Sequence, residues 1–404
     1  MIQLSREYFI PTLSDPSFRM DSIPFNGAHG ITSINHLPIE ILGDIFLLCI
    51  LQGSPAALCR PKHDLAPLSV SQVCRHWREI ALEVPSLWCS LAPPHGAVAL
   101  HPEFSKVWLA RSRNLPLSLH LAPPLSHGTR IPEKDAHSSK IFEIFLNEMH
   151  RWRTISLVLN ENLARQFIAT VDEKAKILEE LDLYFIGNTR NLSVEISSLL
   201  GFFPKLRKLS WKRRRIYQTS LPLNIPFHQL THIYISLKSS AGRVLPCLTK
   251  CTNAVEICWK GVVSPDLLYI NQFPQTPLPQ LQFLKLQGSE DLIRVLSRLT
   301  LPSLKCLHIQ TSSRTWDHRL LEDFFNRSSC PLRQFILQDN LDLESAAKCL
   351  TIPFLGSIPD TEVHLRSSVP LNVFQELKDS HTPTLDRLKI AYPYDERSPV
   401  LMWE

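Results

Sequence analysis

From Trp152 onward, one short pattern keeps returning: an apolar residue, two variable positions, a second apolar residue, one variable position and a third. It reads Trp152/Ile155/Leu157, Leu178/Leu181/Leu183, Leu206/Leu209/Trp211 and Leu230/Ile233/Ile235. It continues as Leu281/Leu284/Leu286, Leu304/Leu307/Ile309, Leu332/Phe335/Leu337 and Leu385/Leu388/Ile390. A weaker copy sits at Ala254/Ile257/Trp259, and Val363/Leu365 carries part of another. The last two positions of each copy alternate, as in a strand with one buried face. Several copies are entered from a Pro-bearing turn, as in Phe203-Pro204-Lys205-Leu206 and Leu301-Pro302-Ser303-Leu304. Helical stretches are expected in the gaps, at 194–202, 291–299, 319–326 and 343–350. A strand–turn–helix unit spaced in the mid-twenties of residues cannot bury its apolar side alone, whereas stacked copies can. The expected class is therefore α/β, a solenoid with a strand-lined concave side; an ordinary domain with several parallel strands is the competing arrangement.

The N-terminal part reads differently. Pro38 suits the first position of a helix, where its missing N–H is no loss. Glu40 follows at the positive end of the helix dipole. Ile41, Leu42, Ile45, Phe46, Leu48 and Cys49 then recur at helical spacing. A second helical stretch places Val73, Trp77, Ile80 and Ala81 on one face, and Arg75, Arg78 and Glu79 largely on the other. Pro85 stops it, and Ser86-Leu87-Trp88 comes next as an apolar plug. A unit of roughly sixty residues with this much apolar surface buries only part of it internally. It is either a helical cap on the downstream chain or a docking site for a partner's helices.

The residues from Ile34 to Leu91 resemble the F-box. The match lies in Leu37-Pro38, Glu40-Ile41-Leu42 and Ile45-Phe46, then Val73-Cys74-Arg75, Trp77-Arg78, Ile80-Ala81, Pro85 and Leu87-Trp88. The resemblance implies a three-helix motif that binds the Skp adaptor of cullin-type ubiquitin ligases. It implies that Leu37, Pro38, Ile41, Leu42, Ile45 and Trp77 contact the adaptor or hold the contact's geometry. The loop from Gln52 to Asp64 is longer than in the compact motif, a form similar to F-box-like proteins of mushroom-forming fungi. The repeated part resembles the irregular leucine-rich repeats found behind many F-boxes. The Asn that ordinarily follows each strand is mostly missing; the run Leu332 to Asn340 alone places one correctly. More open backbone at the turns is expected.

The implied organisation is a loosely ordered tail at 1–33, the F-box-like helices at 34–91, a linker and solenoid cap at 92–150, and the solenoid at 151–404. Within the linker the sequence predicts a helix around Phe104 to Ala110, a strand at Leu115 to Leu121, a polar loop from Ser126 to Ser139 and a helix from Ile141. The implied function is that of a substrate receptor, holding the adaptor, a cullin through it, and a target protein. A non-ligase scaffold is the alternative. On the solenoid, Lys208, Ser210, His232, Tyr234, Lys285 and His308 are expected to meet the target, with Asp182, Cys306 and Ile336 on the same side.

Composition agrees with a binding protein. Gly is scarce at 12 residues, which disfavours phosphate-cradling loops. There is no GxSxG, HExxH, P-loop or GxGxxG, so neither catalysis nor a cofactor is expected. His228/His232 read as a turn and a strand residue, and Cys247, Cys251 and Cys258 as repeat core, so no metal is expected. The ten Cys include no CxxC pair and suit a reducing compartment, cytoplasmic or nuclear. No signal peptide or membrane-length apolar run is read. A net charge of +5 is mild and argues against wholesale nucleic-acid coating, though not against a local patch, so nucleic acid is not an expected partner. The basic run Lys205 to Arg215 is either a solvated rim or an import or acidic-partner signal, with Lys212 to Arg215 expected on the turn after a strand.

Overall fold

The computed structural model describes residue 34 and residues 37–51, 64–92, 101–122, 132–171, 175–187, 189–213, 224–263, 270, 272–288, 292–311, 317–341, 352–365 and 388–391. The expected tail at 1–33, most of the long loop and the expected helix at 343–350 lie outside them. The chain divides into two compact units. Of the described residues, one comprises those up to His120 and those from 132 to Ile144; the other comprises 121–122 and those from Phe145 to 391.

In the first unit, α1 (Ile39–Leu51) buries Leu42 and Phe46 completely. Gly43 lets it approach Val84: a Cβ there would stand 3.2 Å from that side chain. α2 (Arg75–Glu83) begins at Cys74, whose Sγ accepts from the Trp77 N–H at 3.4 Å. The cap leaves Val73 outside the helix and 58% exposed, correcting its expected place on one helix face with Trp77, Ile80 and Ala81. Pro85–Trp88 forms a 3-10 turn that seats Leu87 and Trp88 in the core. The Trp88 indole donates to the Ala81 carbonyl at 2.8 Å, and its ring meets Trp108 edge-on at 4.8 Å. Trp108 lies on α3 (Pro102–Arg111) and donates to Ser90 O at 3.0 Å, beside the short parallel pair β1 (Ser90–Leu91) and β2 (Leu117–Leu121). Among the described residues of 34–91 there are two α-helices and two 3-10 turns, Val70–Gln72 and Pro85–Trp88, where three helices are expected. Pro85 ends α2, because it has no N–H with which to continue the helix, and opens the second turn.

Next in the chain is α4 (Pro132–Asn147), which starts inside the stretch read as a polar loop. Pro132 is a good first helical residue. The apolar signal begins only at Ile141, which is why periodicity places the start too late.

The second unit is organised by parallel strands: β3 (Trp152–Leu159), β4 (Glu180–Phe185), β5 (Lys208–Arg213), β6 (His232–Ser240), β7 (Glu256–Val263), β8 (Thr276–Pro277), β9 (Phe283–Gly288), β10 (Leu299–Thr300), β11 (Cys306–Thr311), β12 (Gln334–Leu341), β13 (Asp360–Leu365) and β14 (Leu388–Ala391). β8 and β10 pair apart from the rest. The others lie side by side in chain order, each parallel to the next. Partner positions are separated by 23 residues (Leu284 and Leu307) to 28 residues (Leu181 and Leu209). Helices fill the gaps: α5 (Glu161–Thr170), α6 (Arg190–Leu199), α7 (Ala241–Leu248), α8 (Ile293–Leu296) and α9 (His318–Ser328). α8 is shorter than the expected 291–299, because Leu299 has left the helix for β10.

The register explains the sequence pattern. Ile155, Leu181, Leu209, Ile233, Ile257, Leu284 and Leu307 form one fully buried row across the sheet. The pattern's third positions, Leu157 to Ile309, form a second buried row two residues on. Its first position closes a tight turn: Leu206, Ala254, Leu281 and Leu304 each donate a backbone N–H to the residue three before. One carbonyl then receives two N–H groups of the next strand's entry. Arg207 O takes Thr231 and His232, Thr231 O takes Val255 and Glu256, Val255 O takes Gln282 and Phe283, and Gln282 O takes Lys305 and Cys306. Identical turns at successive strands keep the rows in line.

The turns are less open than the missing Asn implies. Gln229 donates to Phe203 O at 2.9 Å, Asn253 to His228 O at 2.7 Å and Gln275 to Ser297 O at 2.9 Å. Arg327 donates to Leu296 O and twice to Leu299 O, satisfying the end of α8. Asn340 lies within β12 instead of after it. Lys212 and Arg213 likewise belong to β5, so that part of the basic run is strand, not turn. Two glycines permit a bulge that re-registers β6, β7 and β9: Gly261 has φ +92°, and a Cβ on Gly288 would stand 2.1 Å from Val262 O.

Candidate functional site

α1 carries apolar residues on two faces. Leu42 and Phe46 turn inward, while Leu37, just before the helix, and Ile41, Ile45 and Leu48 on it recur every three or four residues along a second, more exposed face. Leu37 is 38% exposed, Ile41 47% and Leu48 56%; Pro38 is exposed and Ile45 partly so. The six residues drawn from the motif thus separate. Leu37, Pro38, Ile41 and Ile45 stand on the surface, and Leu42 is core. Trp77 is half-buried with its ring 4.9 Å from that of Phe46, so it braces α1 from behind. Leu48, a motif outsider, completes the stripe; its place seven residues after Ile41 is the sequence signal for it. An exposed row of this kind is a mark of an interaction surface.

In the second unit, the side of the strands away from the buried rows holds most of the expected target-binding residues in three rows. Glu180, Lys208, His232 and Glu256 are neighbours in one; Asp182, Ser210, Tyr234, Cys258, Lys285 and His308 in the next; Lys212, Ser236, Lys260 and Gln287 in the third. Lys208, His232, Tyr234 and Lys285 are accessible there, as are Asp182, Cys306 and Ile336; Ser210 is partly exposed, but its hydroxyl oxygen is buried. His308 is not: at 8% exposure it is buried, a correction to the expected surface. Lys260 was missed because it directly follows the core residue Trp259 in the weakest repeat copy.

Charges on this face are partly paired. Lys208 meets Glu180 at 2.7 Å and Lys212 meets Asp182 at 3.2 Å, with the Ser156 hydroxyl also donating to Asp182. Burial, reinforced by nearby Lys208, holds the His232 imidazole below its usual pKa. It is therefore largely neutral at pH 7, and its 3.8 Å approach to Glu256 is not an ion pair there. Burial pushes the Glu256 carboxyl up.

His228 lies in a 3-10 turn and His232 on β6, so the pair shares no helix face. Cys247 and Cys251 are buried on and after α7; burial pushes the Cys247 thiol to about 12 and Cys251 higher still, leaving neither as a nucleophile. Among the described residues no three His, Cys, Asp or Glu side chains are grouped to hold a metal ion. Among the same residues no helix is long and apolar enough to cross a membrane.

A search of curated proteins finds no match to the chain. A protein-family model does match it. The matched segment contains α1, α2, the 3-10 turns and the exposed stripe, and it accounts for the LPxEIL opening and the PxLW close: residues 34–93 are an F-box-like domain, which implies binding of a Skp-type adaptor.

Proposed function

We propose that this protein is the substrate-receptor subunit of a Skp–cullin–F-box ubiquitin ligase. Leu37, Pro38, Ile41 and Ile45 would bury themselves against the adaptor, while Leu42 and Trp77 fix α1 in place. The strand unit would be an irregular leucine-rich-repeat solenoid, a reading supported by its chain-order parallel strands and near-constant step. Its accessible face, with Lys208, Ser210, His232, Tyr234 and Lys285, would hold the target. No bond is made or broken by the chain itself. Its contribution is a high effective concentration of target beside the ubiquitin carrier. Such a receptor works in the cytoplasm or nucleus, in keeping with the free cysteines among the described residues.

The observation that carries this reading is the exposed apolar stripe on α1 within the F-box-like segment. Its test is capture of the purified Skp adaptor by the full chain, beside Ile41→Asp. Capture that Ile41→Asp abolishes supports the reading; a folded wild-type chain that captures no adaptor removes it. Adding a cullin then separates ligase from scaffold, since a scaffold would hold the adaptor without recruiting a cullin.

A further inference from the structure

The accessible face of the strand unit gathers lysines beyond those its acids neutralise. Tyr234 lies between two of them: Lys212 Nζ is 5.0 Å and Lys260 Nζ 5.2 Å from its ring centre. Lys285 stands in the same row as Tyr234, two strands along, next to Cys258. Asp182 takes Lys212, but no ion pair among the described residues reaches Lys260 or Lys285. Lys285 is also half-buried. That burial, with Lys260 nearby, holds its ammonium below the usual lysine pKa. An ammonium withdrawn from water without a counter-charge is costly, and an arriving anion relieves the cost.

Geometry narrows the anion. Neighbouring strands are about 4.8 Å apart, so Lys212, Lys260 and Lys285 span roughly 14 Å across the sheet. Alternate side chains of an extended peptide are about 6.8 Å apart, which matches two or three carboxylates along that line. Carboxylates also bound the patch: Glu180 and Asp182 on one side and Glu256 in the adjoining row. A short acidic stretch fits inside that border, whereas a long polyphosphate chain would run onto it.

We propose that this face docks an extended acidic segment of a partner protein, its carboxylates on Lys260 and Lys285 and its backbone over Tyr234. Identifying that partner with the ligase target rests on the function proposed above; the preference for acid does not.

The test uses the full chain and labelled ten-residue peptides, one rich in Glu and one with Gln at the same positions, with a single-stranded oligonucleotide of equal charge as a further probe. The Glu peptide is expected to bind at least tenfold tighter than the Gln peptide and to weaken as salt rises. Lys260→Glu/Lys285→Glu is expected to lose at least tenfold, and Lys106→Glu on α3 to lose nothing. Because Lys285 is half-buried, Lys260→Met/Lys285→Met keeps the aliphatic stems and serves if the reversal does not fold. Equal binding of the two peptides, preference for the oligonucleotide, or a folded Met variant that binds like wild type would each overturn the proposal. Adaptor capture is measured on the same samples. Capture without acidic-peptide binding rejects the acidic site and leaves the receptor role standing; peptide binding without capture does the reverse.

Discussion

Leu42 and Ile41 are adjacent on α1 and chemically close, yet the structure assigns them opposite consequences. Leu42 is 0% exposed, so Leu42→Ala removes buried methyls and leaves a cavity, costing about 2–5 kcal/mol of stability. Ile41 is 47% exposed. Full burial of an Ile side chain contributes about 1.5–3 kcal/mol, so Ile41→Ala should cost roughly 1 kcal/mol at most in the free protein. The other half of that side chain is available to a partner. Its loss should cost roughly another 1 kcal/mol on docking, or about fivefold in adaptor affinity. Native-state hydrogen exchange at the α1 amides reads the first quantity as the free energy of local opening. Titration calorimetry with the Skp adaptor reads the second. Leu42→Ala should collapse α1 protection; Ile41→Ala should leave it nearly intact and weaken binding. Equal loss of protection in both variants would refute the two-faced reading of α1.

Single contacts set the other expectations. Gly288→Ala places a Cβ 2.1 Å from Val262 O, so it should destabilise by about 1–3 kcal/mol in denaturant unfolding; Gly242→Ala, with open space on α7, should be neutral or gain about 0.5–1 kcal/mol. In native protein near pH 8, iodoacetamide should label exposed Cys49 and spare buried Cys247 and Cys251 until denaturant is added, as mass spectrometry would show. His232 has a folded pKa below its unfolded value, so its unfolded form binds more protons in that window. Stability should therefore be fully present above about pH 6.5 and decline as pH falls through the depressed folded pKa. His232→Gln should flatten that part of the profile of unfolding midpoint against pH, and an unchanged slope would exclude this histidine as its source.

Much of the architecture was legible because burial leaves a period. The apolar-x-apolar pair marked the strands from β3 to β12 except the two-residue β8 and β10, and even the weak copy at Ala254/Ile257/Trp259 proved to be β7, paired at those positions with both neighbours. Polar segments leave no such trace. α4 therefore begins nine residues before its apolar signal, and the bulge at Gly261 and Gly288 is visible only through what a Cβ would strike. The missing Asn ladder misled because a carbonyl needs a donor, not a particular residue; Gln229, Asn253 and Arg327 supply it from positions no repeat pattern marks.

The candidate sites divide in the same way. Sequence alone determined that the N-terminal helices hold more apolar surface than a small unit can bury, and that short strands recur behind them. Both come from composition and spacing along the chain. Only the tertiary structure decided which apolar residue of α1 faces inward, that His308 is buried, and that Lys260 joins Tyr234 on the accessible face. Those are relations between residues some 20–30 positions apart, fixed by strand register and by what packs behind each helix, and local sequence carries no record of either.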